Sequence, residues 1–135
     1  MQAFVNACRR NGLRLTHQRL EIYRELALAK DHPSAETIYT RVRRRLPTIS
    51  LDTVYRTLGS LEVHRLIARV GPATSRARFE SNPHPHDHFL CVQCGEIRDV
   101  FADESERAAL IRAVPENYRV HSSHVELRGL CPNCA

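Results

Sequence analysis

The sequence predicts an α+β fold. A winged helix-turn-helix half covers residues 1–80, a hinge follows at 81–85, and a small α/β half covers 86–135. Three observations carry this reading. Capped amphipathic helices followed by one basic strand–turn–strand unit fill the first 80 residues. Two Cys-x-x-Cys pairs, Cys91/Cys94 and Cys131/Cys134, bracket most of the remainder. The charge changes sign at the same place, with 15 Lys and Arg against 7 Asp and Glu in residues 1–80, and 5 against 8 in residues 81–135. A basic half points to an anionic partner, nucleic acid among them, although a solvated face gives the same count.

The elements follow in order. Phe4, Val5, Cys8 and Leu13 form a weak helical stripe over residues 2–11, ended by Asn11-Gly12. Thr16 caps the next helix, with Leu20, Tyr23, Leu26 and Ala27 expected inward. Asp31-His32-Pro33 breaks it. Ser34 caps a third helix on Ile38, Val42 and Leu46, with Arg41, Arg43, Arg44 and Arg45 outward and Pro47 as its stop. Ser50 caps a fourth, from Leu51 to about His64, with Val54, Leu58 and Leu61 inward and Thr53, Tyr55, Arg56 and Thr57 presented by its first turns. Residues 66–70 and 76–80 read as strands joined by a Gly-Pro turn, the wing. A recognition helix places its N-terminal residues against base edges, where Arg pairs with guanine and Thr meets the thymine methyl. The plainer alternative has Tyr55 half-buried and Arg56 on phosphate.

After the hinge, residues 88–92 and 96–101 read as strands around a Cys-x-x-Cys-Gly turn. Asp103 to Glu106 open a helix through Ala113, and residues 118–130 read as a strand pair or one long strand. The N-terminus lacks a signal-peptide core, and no apolar run reaches membrane-spanning length, so a cytoplasmic location without membrane partners is expected. In that compartment paired cysteines read as metal ligands before disulfides, which leaves Cys8 as a small buried side chain.

Two metal chemistries are visible. Cys91, Cys94, Cys131 and Cys134 suit a tetrahedral zinc with four thiolates, closed and therefore structural. A redox-active Cys-x-x-Cys is the alternative, but neither pair stands at a helix N-terminus. His86 and His88, two apart, share one face of a strand, with Asp87 on the other face and Asp99 on the neighbouring strand. Imidazole and carboxylate without thiolate suit Fe(2+), Mn(2+), Zn(2+) or Co(2+). His84 is either a ligand or a linker histidine. His84-x-His86 also opens a dinuclear hydrolase pattern, but its acid, Asp87, falls one position early. A zinc-dependent hydrolase is thus the minor reading, and no enzymatic activity is expected.

Over nearly its whole length the chain resembles the ferric uptake regulator family of metal-dependent repressors. The matching motifs are Arg14-Leu-Thr-x-Gln-Arg19, His32-Pro-Ser-Ala-Glu-x-Ile-Tyr39, Ser50-Leu-Asp-Thr-Val-Tyr-Arg-Thr-Leu58, His86-Asp-His-x-x-Cys-x-x-Cys-Gly95 and Cys131-Pro-Asn-Cys134. The resemblance implies a homodimer of winged-helix domains on a C-terminal α/β dimerisation domain, binding a pseudo-palindromic operator in double-stranded DNA. It implies DNA contacts from Arg14, Thr16, Gln18, Arg19, Ser50, Thr53, Tyr55 and Arg56. It also implies a structural Zn(2+) and a regulatory Fe(2+) or Mn(2+) held by His32, Glu80, His86, His88 and Asp99. A third family site would involve Asp87, Glu106 and His124. The family's preceding histidine is Pro85 here, which leaves His84 or His121 as the substitute. Asp99 and the four cysteines resemble peroxide-sensing members, in which bound Fe(II) leads to oxidation of a ligand histidine, here His32 or His86. Glu80 and Arg56 resemble iron-uptake or zinc-uptake members. The peroxide branch is favoured, with an iron-level regulator as the alternative and a zinc-uptake regulator behind it.

Overall fold

The computed structural model describes residues 1–71, 76–81, 86–121 and 123–135. The chain divides into two compact units, Met1–Pro83 and His84–Ala135. The turn at 72–75, most of the hinge and His84 lie outside the described residues.

The first unit opens with α1 (Gln2–Arg10), which buries Phe4 and Cys8. In α2 (His17–Leu28) the Thr16 hydroxyl accepts the Arg19 N–H, as its capping position requires. The buried residues of α2 are Glu21, Ile22 and Leu26, while Ala27 is exposed. Leu20 and Tyr23 are partly buried against the core as expected, so the inward face is wider than the expected stripe, taking in Glu21 and Ile22, and of the four expected residues Ala27 faces out. Ser34 caps α3 (Ala35–Val42) through the Thr37 N–H. This helix stops at Val42, so Arg43, Arg44 and Arg45 belong to the following turns instead of its outer face, and only Leu46 still packs on the core. Ser50 caps α4 (Leu51–Val63), which buries Val54, Leu58 and Leu61 as its period predicts, and Thr57 beside them. The wing is β1 (Ala68–Val70) paired antiparallel with β2 (Arg78–Glu80), and Phe79 closes the core. Thirteen buried residues, from Phe4 to Phe79, make this one hydrophobic core.

The second unit is thin. Its sheet runs β4-β3-β5, with β3 (Asp87–Cys91) central, β4 (Ile97–Val100) antiparallel to it and β5 (Glu126–Gly129) parallel. A parallel neighbour needs a crossover, which β4 and α5 (Glu104–Arg112) supply. Asp103 caps α5 in a reciprocal capping box with Glu106, yet no residue of α5 is buried within this unit. The strand expected from residue 118 begins only at Glu126. Just before it the Val125 N–H goes to the Asp87 carboxylate at 2.9 Å, so a side chain takes a donor that a longer ladder would need. Among the described residues of this unit the buried apolar side chains are Cys91, Ile97 and Cys131. Val92, Phe101, Leu110, Ile111, Tyr118, Val120, Leu127 and Leu130 are exposed.

Candidate metal centres and nucleic-acid interface

The β3–β4 turn and the chain's last turn bring the four cysteines together. Their sulfurs all lie within 4.8 Å of one another, and Cys94 Sγ is 3.7 Å from Cys131 Sγ. A tetrahedron with metal–sulfur bonds of about 2.3 Å has edges of about 3.8 Å, so the donor set fits a single zinc-sized ion. The backbone N–H groups of Cys94 and Cys131 point at Cys91 Sγ, at 3.5 and 3.4 Å. These donors hold the Cys91 thiol down at about 6, ready to ionise. Cys134 is pushed up to about 12, first by the hydrogen bond it shares with Cys131 and then by burial. One sulfur is primed as a thiolate while Cys131 and Cys134 are held towards the protonated form, and a bound cation would displace their protons.

Two imidazole–carboxylate groupings lie elsewhere, one in each unit. In the first, His32 Nε2 stands 3.1 Å from Glu80 Oε2, with His32 buried and Glu80 partly so. In the second, His86 Nε2 and His88 Nε2 are each 3.4 Å from Asp99 Oδ1. The ladder explains the latter, since His88 is paired with Asp99 across β3 and β4. Donor atoms around an ion at about 2.0–2.2 Å are spaced at roughly 3.0–3.6 Å, so each grouping already has the spacing of adjacent ligands. Neither contains a thiolate, which separates them chemically from the four-cysteine centre.

Asp87 turns to the opposite face of β3, as alternation predicts. Its carboxylate accepts from Arg107 Nη2 at 2.7 Å and from Val125 N. Burial pushes its pKa up, but the Val125 hydrogen bond and Arg107 outweigh it and hold the pKa below the ordinary value. Glu106 accepts the Asp103 N–H in the capping box. The His124 ring lies 5.4 Å from that of His88. Among the described residues Asp87, Glu106 and His124 do not converge as a ligand cluster.

For nucleic acid, α3, the turn after it and α4 form the helix-turn-helix, with β1–β2 as the wing. Ser50 accepts the Thr53 N–H at 3.0 Å, leaving the positive end of α4 open to solvent. Arg56 is 82% exposed and pairs with Asp52 at 2.9 Å. Tyr55 is about half exposed, and its hydroxyl donates to the Glu36 carboxylate. Gln18 and Arg14 are exposed, and Arg19 donates to the Arg14 carbonyl. Thr16 and Ser50 are spent as helix caps, so their side chains serve the fold first. Local spacing gave no sign of Glu36, Arg78 or Arg107. Their partners are 19 to 47 residues distant, and only a fold could supply that signal.

A winged helix-turn-helix in one chain with a closed thiolate centre and separate imidazole–carboxylate groupings defines a class: DNA-binding regulators that carry metal. The chain belongs to the ferric uptake regulator family, whose family model matches residues 10–128. It is 29% identical over 130 residues to the peroxide-responsive repressor PerR of Staphylococcus saprophyticus, covering 96% of this chain and 88% of that protein. Among solved structures it is similar to the Helicobacter pylori ferric uptake regulator Fur, described as having three functional metal binding sites. The TM-score is 0.83 at 27% identity, covering 98% and 89% of the two chains. It is also similar to a zinc-bound manganese uptake regulator, with TM-score 0.73 at 32% identity, covering 93% and 96%.

Proposed function

We propose that this chain is a metal-dependent transcriptional repressor, cytoplasmic and homodimeric, that responds to peroxide. A structural Zn(2+) is assigned to Cys91, Cys94, Cys131 and Cys134. A regulatory Fe(2+) or Mn(2+) is assigned to His32, Glu80, His86, His88 and Asp99. The carrying observation is the sorting of donors: one set all thiolate and closed, and within each unit an imidazole–carboxylate grouping at ligand spacing. The apolar side chains that the second unit leaves exposed, Leu110, Ile111 and Val120 among them, support a partner copy there. Residues 1–80 are assigned to DNA binding, 81–85 to the hinge and 86–135 to dimerisation.

His32 and Glu80 belong to the winged unit, and His86, His88 and Asp99 to the other. One ion taking ligands from both would act by binding the operator-competent arrangement more tightly than the alternatives. Bound Fe(2+) supplies reactivity towards hydrogen peroxide, and His32 and His86 are the imidazoles assigned to oxidation. The exposed Arg14, Gln18, Tyr55 and Arg56 and the half-buried Thr53, with the caps Thr16 and Ser50 and the neighbouring Arg19, are assigned to an operator of two half-sites. The engagement of Asp87 with Arg107 and of Glu106 with its cap supports two metals per chain, without a third at Asp87, Glu106 and His124. With one site closed and the other regulatory, no turnover is expected.

The test is peptide mass spectrometry of Fe(2+)-loaded and Mn(2+)-loaded protein before and after hydrogen peroxide, alongside operator binding. A gain of oxygen on His32 or His86 with iron only, with loss of binding, is the expected result. Unmodified histidines with binding that follows Fe(2+) would assign an iron-level regulator instead. Equal binding with and without metal would overturn the regulatory reading.

A further inference from the structure

His32 sits on a loop with an unusual backbone. Its φ is +49°, in the left-handed region that a non-glycine residue enters at a cost of about 1–2 kcal/mol. Something must hold it there, and one residue makes two of the necessary bonds. Arg78 Nε donates to the His32 carbonyl at 2.7 Å, and Arg78 Nη2 donates to the Asp31 carbonyl at 2.7 Å. A charged donor on a carbonyl is among the stronger hydrogen bonds of a protein, and the planar guanidinium fixes both carbonyls in one geometry.

The rest of the loop is tied to the same strand and to α3. Phe79 N donates to the Pro33 carbonyl at 3.0 Å. Ser34 and Arg78 form an isolated antiparallel bridge. Arg41 grips the Asp31 carboxylate through both terminal nitrogens, at 3.1 and 2.6 Å. Two residues beyond Arg78, on the same face of β2, stands Glu80, whose carboxylate is 3.1 Å from His32 Nε2. One three-residue strand thus carries a carboxylate proposed as a metal ligand and the guanidinium that orients the backbone of its imidazole partner.

We infer that Arg78 is a positioning residue of the regulatory site, holding the Asp31–Pro33 loop so that His32 meets Glu80 before any metal arrives. This rests on the regulatory assignment above. Read from the sequence, Arg78 was one of several basic residues along the wing, where contact with DNA phosphate is the usual role. The guanidinium is instead half-buried and aimed at backbone carbonyls. Orienting groups behind metal ligands typically contribute 10–100-fold to metal affinity.

The test uses full-length, zinc-loaded protein with Mn(2+) as the probe, comparing the parent with Arg78→Ala, Arg78→Lys and Glu80→Gln. Mn(2+) affinity is read by electron paramagnetic resonance. Hydrogen exchange of the peptide spanning residues 29–36 is read in protein without Mn(2+), and zinc content reports on the fold. Arg78→Ala is expected to weaken Mn(2+) by about 10–100-fold. It should also speed exchange in the loop before any Mn(2+) is added, and regain operator binding with the parent's salt dependence once Mn(2+) is saturating. Arg78→Lys, which keeps the charge without the fork, should fall between. Parent-like Mn(2+) affinity in Arg78→Ala, with Glu80→Gln defective, would overturn the positioning role and leave the regulatory site standing. Parent-like affinity in Glu80→Gln would overturn the regulatory assignment itself. Should Arg78→Ala fail to fold, Arg78→Lys decides, and parent-like affinity there refutes the fork.

Discussion

Removing zinc from the four thiolates is expected to unfold the second unit and leave the first folded. The magnitude follows from what each unit buries. The first has a thirteen-residue apolar core. In the second, two of the three buried apolar side chains among the described residues, Cys91 and Cys131, are themselves proposed zinc ligands. Ile97 remains, and full burial of such a side chain contributes about 1.5–3 kcal/mol. A structural zinc contributes roughly 10 kcal/mol or more at neutral pH. Within a single chain the metal term therefore exceeds the apolar one several-fold. The assay is hydrogen exchange by mass spectrometry before and after chelation, with zinc release followed by a chromophoric indicator. Peptides covering β3 and β4 should lose protection as zinc leaves, while those covering α2 and α4 keep theirs. Cys94→Ser should reproduce the pattern genetically. Unchanged protection of β3 and β4 after complete zinc release would refute the reasoning.

Three further outcomes are expected. Leu58→Ala removes a side chain only 1% exposed and should cost the first unit about 2–5 kcal/mol in denaturant titration, with zinc content unchanged. Arg45→Met removes the hydrogen bond that the buried Glu21 carboxylate accepts at 2.6 Å, leaving it the more distant Arg24 at 3.9 Å, and should cost about 1–3 kcal/mol near neutral pH. That hydrogen bond holds the Glu21 pKa below its ordinary value, so its contribution is present above about pH 4.3 and lost as pH falls through the folded value. The difference between variant and parent should accordingly shrink in acid, and a constant difference would contradict the pairing. Ser50→Ala should destabilise α4 by about 1 kcal/mol, measured by thermal unfolding. Ser50→Asp should restore the cap yet weaken operator binding at low salt, because it places a negative charge where phosphate is proposed to dock.

Much of this protein is governed by short-range rules and could be read from the chain alone. Thr16, Ser34 and Ser50 each cap the helix that follows, because the bond joins residues three apart, and the acids from Asp103 to Glu106 open α5. Val54, Leu58 and Leu61 are buried because one helical period places them together. His86 and His88 share Asp99 while Asp87 faces away, because a strand alternates. The thiolate spacing announced its own tetrahedron. Other features waited for the tertiary structure, because their partners are distant along the chain and nothing local encodes them. The parallel pairing of β5 with β3 depends on a crossover, and the Val125 N–H is taken by Asp87 from 38 residues away. Tyr55 proves to be held by Glu36. The fork of Arg78 reaches back 46 residues to the His32 carbonyl, a contact that exists only once β2 lies beside the loop. Periodicity and capping act within a turn or two of chain, whereas the bonds that aim a ligand are made across the fold.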